Sequence, residues 1–365
     1  MQAFQVRNMQ RLTSSRFTMP SIHVPIPSAD ASRKPQRLKA LLAAAVLSCG
    51  AFAAHAQQAQ QAQQTQGWPN APIRMVIPFP PGGGTDILSR LVSIKLAESN
   101  KWTIVAENRP GAGGTIGIAE AAKSAPNGYT MVMGQKDNMA VAPWLYKSLS
   151  YDPTKDLTAV AHVAYTPVVI VTSANSKFKT LADVVNAARS APGTIPYGSP
   201  GNGTTIHLAG EALNNAAGIK LVHVPYKGSS AAMTDVMGGT LDLALSSVPS
   251  ALSQIRSGKL RALAVTSSAR STSLPDVPTV AESGYKGFDV STWYGVFMPA
   301  GAPKDVVVRL NKEVNRLLET PEMKKAIHAQ GAEPQAMTPE KFSSLLQNDY
   351  RSMRDIVKQA GVTIE

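Results

Sequence analysis

The stretch from Ile73 to Glu98, IRMVIPFPPGGGTDILSRLVSIKLAE, constrains this chain more than any other. Ile73 to Phe79 is apolar and partly β-branched, the pattern of a buried strand. Pro78 and the pair Pro80-Pro81 stop it. Gly82, Gly83 and Gly84 make a turn without β-carbons. Ile87, Leu88, Leu91, Val92 and Leu96 then recur at helical spacing, which places Thr85 or Asp86 as the cap. Strand, glycine turn and helix start aim unpaired backbone N–H groups and the positive end of a helix dipole at one point. Two readings follow. The turn holds an anion, with a carboxylate as the expected one, or it is a tight turn packing a helix on a sheet.

At 365 residues the chain has length for two domains with real cores. Its first 56 residues read as a signal peptide with an N-terminal extension. Arg33, Lys34, Arg37 and Lys39 precede an apolar, alanine-rich run from Ala40 to Ala54, and Ala54-His55-Ala56 is a small-x-small cleavage box. The expected compartment is the periplasm. Val46-Leu47-Ser48-Cys49 offers a minor alternative, a lipid anchor at Cys49. Cys49 is the only cysteine, so cleavage at Ala56 leaves none for disulfides, thiol catalysis or cysteine metal sites. Seven of the 36 basic residues and one of the 24 acids lie in this leader, so the rest carries 29 against 23. A spread positive excess favours small anionic ligands; nucleic acid would call for a basic stripe with interleaved aromatics.

Residues 57–67 (QQAQQAQQTQG) form a Gln-rich, low-complexity linker. Beyond it, strands at Trp102 to Glu107 and Tyr129 to Met133 alternate with a helix at Ile116 to Ser124, giving βαβαβ and a parallel, doubly wound sheet. Its ligand crevice is expected beyond the carboxyl ends of the strands. A second run repeats the design: strands at Val168 to Thr172, Ile195 to Ser199, Leu221 to Pro225, Leu241 to Leu245 and Leu260 to Thr266, with helices between. Pro275 to Glu282 reads as a loop turning into a short helix, and Val290 to Met298 as a strand. Lys304 to Leu318, Met323 to Ala329 and Pro339 to Ala360 read as packing helices.

Four glycine- or hydroxyl-rich loops precede helices, two in each half: at Gly82, at Gly111 to Thr115, at Gly198 to Thr205 and at Tyr226 to Ser230. Such loops bind a carboxylate through N–H and hydroxyl groups without a full counter-charge, which suits reversible capture in a hinge-closing cleft. A nucleotide cofactor is not expected: Gly111-x-Gly113-x-x-x-Gly117 departs from the dinucleotide spacing and does not follow the first strand. Neither HExxH nor a His/Asp/Glu cluster suggests a metal. A Ser199–His207 hydrolase is the enzymatic alternative, but Tyr197 stands where a nucleophile elbow needs glycine, and a helix-face His207 that only hydrogen-bonds competes with it.

In order, WPNAPIRMVIPFPPGGGTD, VAENRPGAGGTIG, APWLY, YGSPGNGTTIHLAGE, HVPYKGSSAAMTD, LPDVPTVAESGY and WYGVFMPAGAP resemble the Bug-type solute-binding receptors of tripartite tricarboxylate transporters, from Trp68 to the end. The resemblance implies an α/β, two-lobed periplasmic binding protein of the Venus-flytrap, type II-like kind, each lobe a sheet flanked by helices. Residues 68–165 and 293–365 would form lobe 1 and residues 166–292 lobe 2. It also implies a non-enzymatic role: capture of a small organic acid (a di- or tricarboxylate, acidic amino acid or aromatic carboxylate) and delivery to membrane permease subunits. A sensing module for a signalling partner is the alternative, and a monomer without cofactor or metal is expected.

Carried over, Pro81, Gly82, Gly83, Gly84, Thr85 and Asp86, with Phe79 before them and Gly113, Gly114 and Thr115 beside them, would form one wall of the site. Ser199, Gly201, Thr204, Thr205 and His207, with Tyr226, Lys227 and Gly228, would form the other. Gln135, Asn138 and Ser246 complete the expected ligand-binding set. Asp86 is expected both to cap its helix and to border the ligand, and Lys227 is either a ligand contact or a solvated surface lysine. Two stretches depart from the family pattern: Gln135-Lys136-Asp137-Asn138, and Ser246-Ser247 where an acid is common.

Overall fold

One 17-residue strand carries the architecture of the computed structural model, which describes residues 67–360. The expected signal peptide, the Cys49 anchor and most of the linker lie outside the described residues. The chain runs β1 (Ile73–Ile77), α1 (Gly84–Asn100), β2 (Ile104–Asn108), α2 (Thr115–Ala122), β3 (Thr130–Gln135), α3 (Ala142–Leu145) and the long β4 (Leu157–Ser173), with a π turn at Asp137–Val141. Next come α4 (Leu181–Ser190), β5 (Pro196–Ser199), α5 (Thr205–Ala217), β6 (Val222–Pro225), α6 (Ser229–Met237), β7 (Leu243–Ser247), α7 (Val248–Arg256) and β8 (Leu260–Val265). β9 (Ser291–Pro299), α8 (Lys304–Glu319), α9 (Pro321–Ala329), β10 (Glu333–Pro334) and α10 (Pro339–Ala360) complete it.

β1 pairs in parallel with β2 on one side and β3 on the other. β5 does the same with β6 and β7. β4 joins the two sets, antiparallel throughout. From Leu157 to Pro167 it pairs with β9, and from Val168 onward with β7 and β8. The hand-over falls between Pro167 and Val168, where proline supplies no N–H for the ladder. Each half of the sheet has apolar layers on both faces, as strand alternation requires. In the first lobe Met75 and Ile77 face the layer under α1 and α8, while Val76 faces that of Phe297 and Phe342. In the second, Val168 and Ile170 face one layer and Val169 and Val171 the other.

The sequence reading placed the first part of β4 in no element. Leu157 to Pro167 is alanine-rich with a histidine and a proline, and two register shifts against β9 interrupt it. Its strand state comes from central position in the sheet. Pro275 to Glu282 corrects the reading in the other direction: it forms turns, with one bridge from Thr279 to Val265. Thr279 and Glu282 cap each other reciprocally, at 2.7 and 2.9 Å, but Gly284 and Gly287 follow at φ +110° and +80°, so no helix propagates.

The topology fixes where the site lies. Because β1 and β5 each have neighbours on both sides, the connections after them diverge to opposite faces. A crevice opens at the carboxyl end of such a strand, and the loops after β1 and β5 stand there.

Candidate functional site

The loop after β1 is held from beneath. Asp86 is not the cap the sequence suggested; Gly83 is, and it supplies no side-chain bond. The buried Asp86 carboxylate instead accepts from the Gly82 N–H at 3.0 Å, Arg90 Nε at 2.8 Å and Asn108 Nδ2 at 2.9 Å. Asn108 Nδ2 also donates to the Phe79 carbonyl at 2.8 Å. With its acceptor capacity used inward, Asp86 lines neither cavity described below. The network leaves the start of α1 facing the crevice, and Ile87 is the first residue whose N–H bonds back, to Gly83.

Two more helices begin at the same place without side-chain caps. α6 starts after Gly228, whose φ of +145° requires glycine. α7 starts after Ser247. The starts of α1 and α6 flank a cavity of about 270 Å³, and Ser247, ahead of α7, also lines it. Gly83, Gly84 and Thr85 line it from α1, Gly228 to Ala231 from α6, and Ser247 from α7. Phe79, Pro80, Pro81, Pro200 and Ile206 give it apolar walls, and Gln135, Lys227 and Tyr294 close it. Gly84 permits close approach: a β-carbon there would stand 2.5 Å from Ser247 Oγ and 2.7 Å from Tyr294 Oη. Burial pushes the Tyr294 phenol well above its ordinary range, so it stays a neutral hydroxyl.

A second, larger cavity of about 740 Å³ shares Phe79, Pro80, Pro200 and Lys227 with the first. Gly113, Gly114, Tyr146, Gly201, Asn202 and Tyr226 lie on its walls. Among the described residues, Lys227 is the one charged side chain lining either cavity. Of the expected set, then, Phe79, Pro81, Gly83, Gly84, Thr85, Gln135, Lys227 and Gly228 line the smaller cavity, and Gly113, Gly114, Gly201 and Tyr226 the larger.

The rest of that set lines neither. Gly82 faces a smaller pocket beside α7. Asn138 is fully buried, with its Oδ1 accepting from the Gln135 N–H at 3.0 Å. Ser246 is fully buried too, and strand alternation gives the cavity wall to Ser247. Ser199, Thr204, Thr205 and His207 support the wall from behind, leaving Pro200, Gly201 and Ile206 as its surface. Thr204 caps α5 by accepting the His207 N–H at 3.1 Å, and His207 Nδ1 accepts the Gly203 N–H at 3.1 Å.

The Ser199–His207 pairing is overturned. Ser199 Oγ lies 2.6 Å from His223 Nε2, and His207 stacks on that ring at 3.6 Å. Ser199 is 0% exposed, and its hydroxyl also bonds Gly201, so a substrate carbonyl has no path to it. Burial and the neighbouring His207 push His223 down to about 3, and burial lowers His207, so both rings are neutral at pH 7.

Sequence reasoning left Ser229, Ser230, Ser247 and Tyr294 out of the site. The serines were legible as residues opening helices. Tyr294 was not, because it belongs to β9 and reaches the crevice only through the pairing of β9 with β3. Asp137 was also left out. It is 2% exposed and its Oδ1 accepts the Thr205 N–H at 2.8 Å. Burial pushes its carboxyl up, opposed by hydrogen bonds from Thr205 and Gln135.

Comparison with known proteins gives the same architecture. The model of the family described as tripartite tricarboxylate transporter family receptor matches residues 88–362. Protein BugT of Bordetella pertussis is 36% identical over 299 residues, covering 82% of this chain and 92% of its own. The structure of the periplasmic binding protein BugD superposes with TM-score 0.77 at 34% identity, over 82% of this chain and all of that one (100%). The structure of R. palustris Rpa4515 with adipate superposes with TM-score 0.79 at 31% identity, over 81% of this chain and 99% of that one. The fold is thus that of the two-lobed periplasmic binding proteins.

Proposed function

The chain belongs to the tripartite tricarboxylate transporter receptor family, and from that premise we propose that it is an extracytoplasmic receptor capturing a small organic acid in the 270 Å³ cavity. One observation carries the reading: two helix N-termini without side-chain caps, that of α1 from the first lobe and that of α6 from the second, face that cavity together. Each adds N–H donors and a partial positive charge. A carboxylate between them bonds to both lobes at once, so the closed form gains free energy when the anion is present. The apolar walls at Phe79, Pro200 and Ile206 fit the carbon body of the acid. Rpa4515 was solved with adipate, a carboxylate, which agrees with this chemistry.

The lobes are residues 68–165 with 293–365, and residues 166–292. The hinges are the two crossings near Pro167 in β4 and near Ser291 in β9, which pair with each other. The loaded, closed form is delivered to membrane permease subunits, the receptor acting as a monomer in the periplasm and catalysing nothing. Thermal unfolding of the secreted protein against a panel of organic acids tests the reading. A binding acid at a hundred times its dissociation constant stabilises by about 2.7 kcal/mol, which raises the midpoint by several degrees. Unmoved midpoints for every acid at millimolar concentration would end it.

A further inference from the structure

Behind the Gln135 wall of the smaller cavity stands a carboxylate belonging to the protein itself. Asp137 of the first lobe accepts the N–H of Thr205, the first residue of α5 in the second lobe, at 2.8 Å. A helix start favours a negative charge there. Lys136 does not neutralise it, because its Nζ is turned to Asp349 of α10 at 3.3 Å. Asp137 Oδ2 accepts the amide N–H of Gln135. The amide is thereby oriented with Oε1 toward Thr85, and accepts the Thr85 hydroxyl proton. Gln135 and Thr85 both line the cavity. On this wall the Gln135 and Thr85 side chains turn lone pairs toward a ligand, with the buried Asp137 carboxyl one side chain behind. Elsewhere around the cavity the backbone at the starts of α1 and α6, the hydroxyls of Ser229, Ser230 and Tyr294, and Lys227 offer donors.

We infer that Asp137 is a positioning residue that sets ligand choice: through Gln135 and Thr85 it fits the cavity to acids with a single carboxylate and a neutral far end, and disfavours dicarboxylates. This rests on the reading of the cavity as a carboxylate site. The donor side satisfies one carboxylate. A second one, directed at Gln135 and Thr85, would find acceptors where it needs donors and would leave its own charge unpaired in a confined space. A hydroxyl or an apolar group at the far end meets no such penalty.

The test is calorimetric titration with pairs matched in carbon skeleton: butyrate and succinate, hexanoate and adipate, benzoate and terephthalate. The wild-type protein should bind the monocarboxylate of its preferred pair at least about tenfold more tightly. Asp137→Asn reverses the chain of bonds. Its Oδ1 still accepts the Thr205 N–H, while its Nδ2 requires Gln135 to turn over. Gln135 then donates to Thr85, and the Thr85 hydroxyl proton becomes free for the cavity. The mono-to-dicarboxylate affinity ratio should fall about tenfold or more, a change that loss of stability alone would not produce. A wild-type preference for the dicarboxylate overturns the inference, with no variant needed. An unchanged ratio in folded Asp137→Asn overturns it as well, leaving the carboxylate reading intact. Binding of none of the six acids overturns both.

Discussion

Replacing Lys227 with glutamine separates two ways of holding an anion. Lys227 is the lone cation on the walls of both cavities among the described residues, and it is exposed. Two unit charges 4 Å apart attract by about 1 kcal/mol in water and about 4 kcal/mol where the effective dielectric constant is near 20. Exposure puts Lys227 near the lower figure, because solvent and salt screen it. A hydrogen bond from a fixed N–H to a carboxylate contributes about 1.5–3 kcal/mol, and the starts of α1 and α6 offer several. Lys227→Gln should therefore weaken the best-binding acid by about fivefold, corresponding to ~1 kcal/mol. Its affinity should also lose most of its dependence on ionic strength. Titration calorimetry at two salt concentrations measures both. A loss of a hundredfold or more would make the lysine the principal partner and refute recognition by backbone donors. Unchanged affinity at low salt would place the ligand away from the wall that the two cavities share.

Other outcomes follow from the same geometry. Asp86→Ala leaves the Gly82 N–H without its acceptor and removes the bonds from Arg90 and Asn108, so it should cost about 2–3 kcal/mol in chemical denaturation and weaken ligand binding by loosening the loop. Stability equal to wild type would show that the network does not hold the loop. His162 is fully buried, donates Nδ1–H to the Gln335 carbonyl at 2.9 Å, and is pushed down by burial to about 4. Its folded value lies below its unfolded one of 6.5, as does that of His223 at about 3. As pH falls through this window the unfolded chain takes up protons that the folded chain refuses. Their contribution is thus present in full above about pH 6.5 and is lost progressively toward pH 4, on the order of 3 kcal/mol for His162. His162→Gln should flatten that part of the stability profile, and an unaltered profile would contradict it. Ser199→Ala should break the contact with His223 and lower stability while leaving acid binding within about threefold. A larger loss of affinity would mean that Ser199 reaches the ligand.

Local chemistry made much of this fold legible. Pro80-Pro81 and three glycines can hardly do other than end a strand and open a helix, and β1, its turn and α1 stand where that pattern puts them. α4 starts at Leu181 behind a capping box of Thr180 and Asp183, a start signal written in neighbouring residues. What the residues did not reveal depends on pairing across long separations. His162 and Pro167 argue against a strand, yet β9 draws them into the sheet from more than 120 positions away. The site was legible to the same extent. Glycine loops announced exposed helix starts, so the α1 and α6 termini were found. Which side chain of a strand end faces the cavity is a matter of register, and there Ser246 was chosen where Ser247 stands. Asp86 and His207 carry the residue types of ligand contacts, but their polar atoms are used to hold loops. Only contacts between the lobes could show Asp137 seated on the start of α5.

The most direct measurement is a crystal structure of the protein with the acid that stabilises it most. The carboxylate should lie between the starts of α1 and α6, within about 3.2 Å of backbone N–H groups from both lobes. A carboxylate bound elsewhere, or held by side chains of a single lobe, would contradict the account.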